Sequence, residues 1–287
     1  MFQIPRGTRD FTSEDMQKRR YLEEIIKTTF KNYGYKEIQT PTFENLNLFT
    51  LKSGEGIINE IYSFEDKGGR KLALRPELTA PVMRFYVEKL QMEPKPLKLF
   101  YFGNCFRYDR PQKGRYREFM QAGCELIGTD KPEAYAELIA MAYKILKNAG
   151  IKDITLKIGN LNILSKIFKK LNLTEDQKKY ITPLIDKSLF EELYNALQDF
   201  NIDNKEITNF LEILQTSDIK KIKEYIDNEN EIKEEIKKLE KITTFIKESF
   251  KIKDFEIKMN IVRGLDYYEG IVFEIEAPKL GAEKQIC

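Results

Sequence analysis

The strongest constraint on this chain is a change of texture along it. From about residue 161 to residue 253 it is written in Lys, Ile, Glu and Asn with almost no glycine and no strand-like alternation, whereas both flanks carry alternating apolar and aromatic runs. Runs at 188–200, 205–215, 217–227 and 231–250 have the i, i+3, i+4 period of amphipathic helices, and Thr174 with Gln177 fits a capping box. Strand text that stops and later resumes predicts an α+β fold: an antiparallel sheet flanked by helices, with an all-α insertion. The expected parts are 1–160, the insertion 161–253, and 254–287, where the sheet continues.

The flanks can be read in more detail. Thr12 and Ser13 can cap a helix whose apolar residues Leu22, Ile25, Ile26, Phe30 and Tyr33 keep helical spacing until Gly34. A strand at 35–43 is interrupted by Pro41, and a strand at 72–75 precedes a helix from Thr79 to about 90 with Pro81 in its first turn. Two β-runs, 97–108 and 117–127, face each other across the basic loop RPQKGR as a long hairpin. A helix at 132–149 and an alternating strand through Ile154, Leu156 and Ile158 lead into the insertion, and strand texture returns at 255–262 and 267–276.

Composition removes whole classes of chemistry. The chain has no histidine, which excludes Ser-His-Asp and Cys-His mechanisms and leaves Arg, Glu, Gln, Tyr, a metal or substrate positioning to carry any reaction. Its three cysteines, 105, 124 and 287, form neither a disulfide framework nor a zinc ligand set. With 48 basic and 46 acidic residues the net charge is +2, so any contact with nucleic acid has to rest on a local patch. The opening MFQIPRGTRDF has no basic-then-apolar leader and no run approaches a membrane span, which predicts a cytoplasmic protein with no membrane partner.

Along 117–127 successive side chains alternate faces. Phe119, Gln121, Gly123 and Glu125 share one, a good floor for a polar ligand with a flat ring; Met120, Ala122, Cys124 and Leu126 share the other, which is expected to be core. Residues 106–119 hold five basic and two acidic residues, a local +3 suited to phosphate, for which Arg107 offers a planar fork of donors. An exposed charged hairpin tip fits the same residue types. Glu77 and Thr79 stand at a strand-to-helix junction, where helix capping accounts for both. In VRGLDYY, at 262–268, a plain turn explains Gly264 and Asp266 but not two tyrosines beside Arg263.

Taken together, RGTRDF near the start, LRPELT at 74–79, FRYDRPQKGRYREFMQAGCELIG at 106–128 and VRGLDYYEGIVFE at 262–274 resemble, in order, the signatures of class II aminoacyl-tRNA synthetases, and within that family the histidyl-tRNA synthetases. The resemblance implies the class II synthetase-like sheet and a homodimer with Pro41 at its interface. It implies adenylation of L-histidine with ATP and Mg2+, followed by transfer to tRNA(His). In it Arg107 holds the α-phosphate, Phe119 stacks on adenine, and Asp109 and Arg115 complete the ATP site. Glu77, Thr79, Gln121, Glu125, Tyr267 and Tyr268 bind histidine, while Arg263 stabilises charge on the α-phosphate. No metal-binding side chain is implied, and the helical insertion is expected near the tRNA acceptor stem.

Two departures accompany the resemblance. Asp109 stands where motif 2 usually has a glutamate. GAEKQIC at 281–287 looks like the start of a second histidine-binding signature, so motif 3 and an anticodon-binding domain are expected beyond Cys287, in a longer protein. The rival is the synthetase-like, histidine-sensing regulatory subunit of ATP phosphoribosyltransferase, which charges no tRNA; a nearly complete motif 2 argues against it.

Overall fold

The computed structural model describes residues 2–53, 55–108, 110, 115–225, 230–262, 268–280 and 285–287. The chain divides into two compact units, one of 1–130 with 144–150 and 280–283, the other of 131–143, 151–279 and 284–287.

In the first unit, helix α1 (Ser13–Asn32) starts at a capping box: Asp15 N donates to Thr12 Oγ1 at 3.2 Å, and Thr12 N to Asp15 Oδ2 at 3.0 Å. The Thr12 hydroxyl, donating to Asp15 Oδ2 at 2.7 Å, and the Thr12 N–H hold the Asp15 carboxyl below its usual range. The interrupted strand becomes two short ones, β1 (Lys36–Glu37) and β2 (Phe43–Asn45), separated at Thr40 and Pro41. After α2 (Asn47–Ser53), the strands β3 (Ser63–Glu65) and β4 (Lys71–Leu74) complete an antiparallel sheet in the order β2-β4-β3. Helix α3 (Thr79–Phe85) follows, and its last turn, Tyr86–Leu90, widens to π geometry. Arg84 of α3 grips Glu44 of β2 with two hydrogen bonds, Nε to Oε2 at 2.8 Å and Nη2 to Oε1 at 2.6 Å. This bidentate pair fixes the helix over that sheet.

Strands β5 (Leu97–Phe106) and β6 (Glu118–Ile127) form the expected hairpin, in register from Leu97 opposite Ile127 to Phe106 opposite Glu118. β1 joins the far side of β5 in parallel. Phe30 of α1 stacks on Phe100 of β5 at 5.0 Å between ring centroids, closing one face of the sheet.

Helix α4 (Pro132–Asn148) precedes the strands of the second unit. There β7 (Thr155–Asn160) runs straight into α5 (Leu161–Lys170), and α6 (Glu175–Asp186), α7 (Phe190–Asp199), α8 (Asn204–Gln215), α9 (Ile219–Tyr225) and α10 (Asn230–Glu248) follow before β8 (Phe255–Ile257) and β9 (Ile271–Glu276). The sheet order is β8-β7-β9, with β8 parallel and β9 antiparallel to β7. Parallel neighbours need a crossover, and the whole helical segment serves as that connection. Ile, Leu and Phe at helical spacing, including Phe168, Ile181, Leu197, Phe210, Ile236 and Ile242, are all essentially fully buried. The Thr174–Gln177 capping box is present at the start of α6.

Candidate functional site

The site is built on the β5–β6 hairpin, because its alternation separates two rows of side chains. Leu99, Tyr101, Gly103 and Cys105 of β5 lie opposite Glu125, Gly123, Gln121 and Phe119 of β6. Helix α3 covers this face, while α1 reaches the other through Phe30 on Phe100. Leu78 and Val82, from the start of α3, form a buried cluster with Leu99, Tyr101 and Cys105, and Phe119 packs against it. The opposite row was expected to be core; instead Met120 is 37% exposed, Ala122 is exposed, and Cys124 and Leu126 are half-buried. Periodicity assigns residues to faces but carries no label for which face a helix will cover, and α3 settled on the polar one.

Two glycines make that covering possible. A Cβ on Gly103 would stand 2.3 Å from Arg75 Nη2, so only glycine leaves room for the guanidinium that crosses the hairpin there. Arg75 is 5% exposed and donates Nε to the Asn104 carbonyl at 2.8 Å and Nη1 to the carbonyls of Thr40 and Pro41 at 2.9 and 3.0 Å. Burial pulls its pKa down from the ordinary arginine value. Gly123 plays the same part for Tyr101, whose ring carbon Cε2 and hydroxyl oxygen would each be 2.6 Å from an added Cβ.

Around this floor stand the residues expected to bind histidine. The Tyr101 hydroxyl donates to Glu125 Oε1 at 2.9 Å, and the Thr79 hydroxyl stands within reach of both groups. Burial raises the Glu125 carboxyl above its usual value, opposed by Tyr101 and Thr79 and assisted by the Glu77 charge. Burial and the neighbouring carboxylate likewise push Tyr101 far up, so its hydroxyl keeps its proton and remains a donor. Glu77 accepts from the backbone N–H groups of Thr79 and Ala80, the latter at 3.0 Å from Oε1, and so caps α3. The Cys105 thiol, pushed up to about 11 by burial, donates to Gln121 Oε1 at 3.3 Å. Thus Thr79 and Glu125 meet at Tyr101, the Glu77 charge acts on Glu125, and Gln121 stands on the same strand face, though these residues are up to 48 positions apart in sequence.

At the loop end of the hairpin lie the residues expected to take ATP. Arg107 donates Nε to the Pro76 carbonyl at 2.9 Å, which leaves its guanidinium 5.1 Å from the Phe119 ring centroid. Both line a groove of about 1280 Å³, as do Glu77, Arg115 and Tyr116. The strand backbone continues past the ladder: Arg107 N bonds Arg117 O at 3.0 Å, and Tyr108 N bonds Glu60 O at 2.8 Å. Arg9 of the RGTRDF segment lies between two rings, 4.7 Å from the Phe11 centroid and 4.1 Å from that of Tyr116, and ties the chain start to the groove wall. A guanidinium already seated on a ring suits a nucleotide, with phosphate for the cation and a stacking face for the base.

Asp109, Arg263 and Tyr267 lie outside the described residues. Tyr268 is 51% exposed and belongs to the second unit. Among the described residues no group of three or more Cys, Asp or Glu could hold a metal ion, and no helix is long and apolar enough to cross a membrane.

Sequence reasoning missed Tyr101, Arg75, Cys105 and Arg9 as parts of the site. For Tyr101 a signal existed: an aromatic residue paired across a hairpin with a glycine lays its ring over the gap. Arg75 carried no such signal, since its carbonyl partners come from segments far away in sequence.

The sequence profile described as Histidyl-tRNA synthetase matches residues 7–284. Curated histidine--tRNA ligases are similar along the whole chain: that of Methanosarcina acetivorans is 46% identical over 286 residues, covering 99% of this chain and 67% of its own length. That of Methanocaldococcus jannaschii is 46% identical over 293 residues, covering 100% and 68%. Among solved structures, a Bacillus halodurans protein described as an ATP phosphoribosyltransferase regulatory subunit/histidyl-tRNA synthetase superposes with a TM-score of 0.86 at 24% identity, over 99% of this chain and 74% of its own; at that identity the likeness is one of fold. Apo histidyl-tRNA synthetase from S. aureus gives a TM-score of 0.65 at 34% identity, over 96% of this chain and 61% of its own.

Proposed function

The chain belongs to the histidyl-tRNA synthetase family, and from that premise we propose that it activates L-histidine with ATP to histidyl-adenylate and passes the histidyl group to tRNA(His). In the first step a carboxylate oxygen of histidine attacks the α-phosphorus in line, the new O–P bond forms, and the bond from the α-phosphorus to the α,β-bridging oxygen breaks to release pyrophosphate. No protein base is required, because the attacking carboxylate has no proton to lose. This suits a chain without histidine.

The observation that carries the reading is the meeting of a guanidinium-on-ring pair, Arg107 and Phe119, with the Glu125 carboxylate on the same hairpin face. Arg107 takes the α-phosphate and Phe119 the adenine, with Asp109 and Arg115 at the base and outer phosphates. ATP would enter as its Mg2+ complex, in which the metal would offset the charge of the phosphates. Glu77, Thr79 and Gln121 receive the α-ammonium end of histidine and Glu125 its imidazole, with Tyr267 and Tyr268 lining the ring and Arg263 offsetting charge on the α-phosphate. Parts 1–160 and 254–287 form the catalytic core, with 161–253 as an insertion reaching toward the tRNA acceptor stem. The protein acts in the cytoplasm as a homodimer joined around Pro41.

The test is ATP–pyrophosphate exchange with each amino acid supplied separately and Arg263→Ala as control. Exchange with histidine alone, lost in the variant, is expected; exchange driven by another amino acid overturns the assignment. Histidine binding without exchange, in this chain and in one extended to the length of its relatives, would transfer the reading to a histidine-sensing regulator.

A further inference from the structure

We propose that the Tyr101 hydroxyl is a positioning group that determines specificity, holding Glu125 as an ionised, oriented acceptor so that the pocket takes an amino acid whose ring bears an N–H donor and rejects rings of the same size without one. The inference rests on the proposed role of Glu125 in receiving the imidazole.

The geometry leaves little freedom for another role. Tyr101 is 4% exposed and its ring lies over Gly123, so its hydroxyl is delivered to Glu125 Oε1 by the hairpin register alone. Across from it the Thr79 hydroxyl reaches the same carboxylate from the first turn of α3. The groups acting on Glu125 are therefore of two kinds. Tyr101 and Thr79 favour the carboxylate by hydrogen bonding, while burial and the Glu77 charge favour the neutral acid. The Cys105 thiol is engaged with Gln121 on the same face, and Cys124 acts on Tyr101 itself.

This balance matters because the two protonation states of a carboxyl select different ligands. An ionised carboxylate only accepts, so a ring lacking N–H leaves it buried and unpaired, whereas a neutral acid can donate as well and tolerates such a ring better. Tyr101 tips the balance toward the selective state through its hydrogen bond to Glu125. Phenylalanine at 101 keeps the ring over Gly123 and removes only the hydroxyl.

The test measures calorimetric Kd values of the chain for L-histidine and for β-(2-thienyl)-L-alanine, whose ring has similar size and no N–H. Tyr101→Phe is expected to weaken histidine binding about tenfold or more, the cost of one hydrogen bond to a charged group, with thienylalanine nearly unchanged, so the preference collapses. Glu125→Gln should abolish the same preference, while Tyr101→Phe, though it loses one hydrogen bond and some melting temperature, should remain folded and keep the parent's ATP affinity. Equal weakening of both ligands, or an unchanged ratio, marks Tyr101 as structural and overturns the proposal. A parent chain with no preference for histidine over thienylalanine would remove the histidine-pocket reading and this one with it.

Discussion

Arg75 and Gly103 occupy one another's space: the guanidinium lies where a side chain at 103 would begin, 2.3 Å from the position of its Cβ. Gly103→Ala therefore has to push Arg75 off the carbonyls of Thr40, Pro41 and Asn104. A buried cation stripped of its partners costs about 3–5 kcal/mol, and urea unfolding should show a loss of that order. A loss below about 1 kcal/mol would mean the guanidinium relocates freely.

Arg107 is held by the Pro76 carbonyl and the Phe119 ring. On the proposed function, Arg107→Ala should lower the exchange rate by about 10² to 10³, the size of effect seen when one preorganised charge-stabilising donor is lost. Arg107→Lys should restore little of it, because a lysine is a point charge without the planar fork. Full activity in the lysine variant would show that charge alone suffices.

Glu125 gives a pH signature. Its carboxyl is raised above the ordinary 4.5 by burial, so the folded chain holds that proton more tightly than the unfolded chain. The stability it contributes is complete below that value and is lost as pH rises through the folded-state pKa. Glu125→Gln stays neutral throughout. Unfolding of the two chains compared from about pH 4 to about pH 8 should show the variant gaining on the parent as pH rises. A pH-independent difference would contradict the burial argument.

In the second unit, Glu235 of α10 accepts from both Asn160 Nδ2 and Asn162 Nδ2 at 2.9 Å, and Asn162 Oδ1 accepts from Gly270 N at 3.0 Å. Asn160 is 2% exposed and also caps α5 through Oδ1. Glu235→Ala leaves that buried amide unsatisfied, which should cost about 1–3 kcal/mol and speed amide exchange at the start of α5. Unchanged exchange there would show that Asn160 finds another acceptor.

Much of the fold was legible because it depends on short-range periodicity. The capping boxes at Thr12 and Thr174, the hairpin flanking RPQKGR and the helices of the 161–253 segment all follow from spacing within a few turns. Motif order pointed to Arg107, Phe119, Gln121 and Glu125, and each stands on the hairpin face that the alternation assigns to it.

By itself, then, the sequence determined which residues share a face, which segments are helical and which family the chain resembles, since all of these are written in local pattern and residue type. Only the tertiary structure decided that the polar face of β6 is covered while Met120 and Ala122 stay exposed, and that Arg75 and Tyr101 fill the hollows above Gly103 and Gly123. The physical reason is that a period of two is symmetric between faces. What breaks the symmetry is the landing of Leu78 and Val82 on one side, a contact between segments 17 or more residues apart that no local rule encodes.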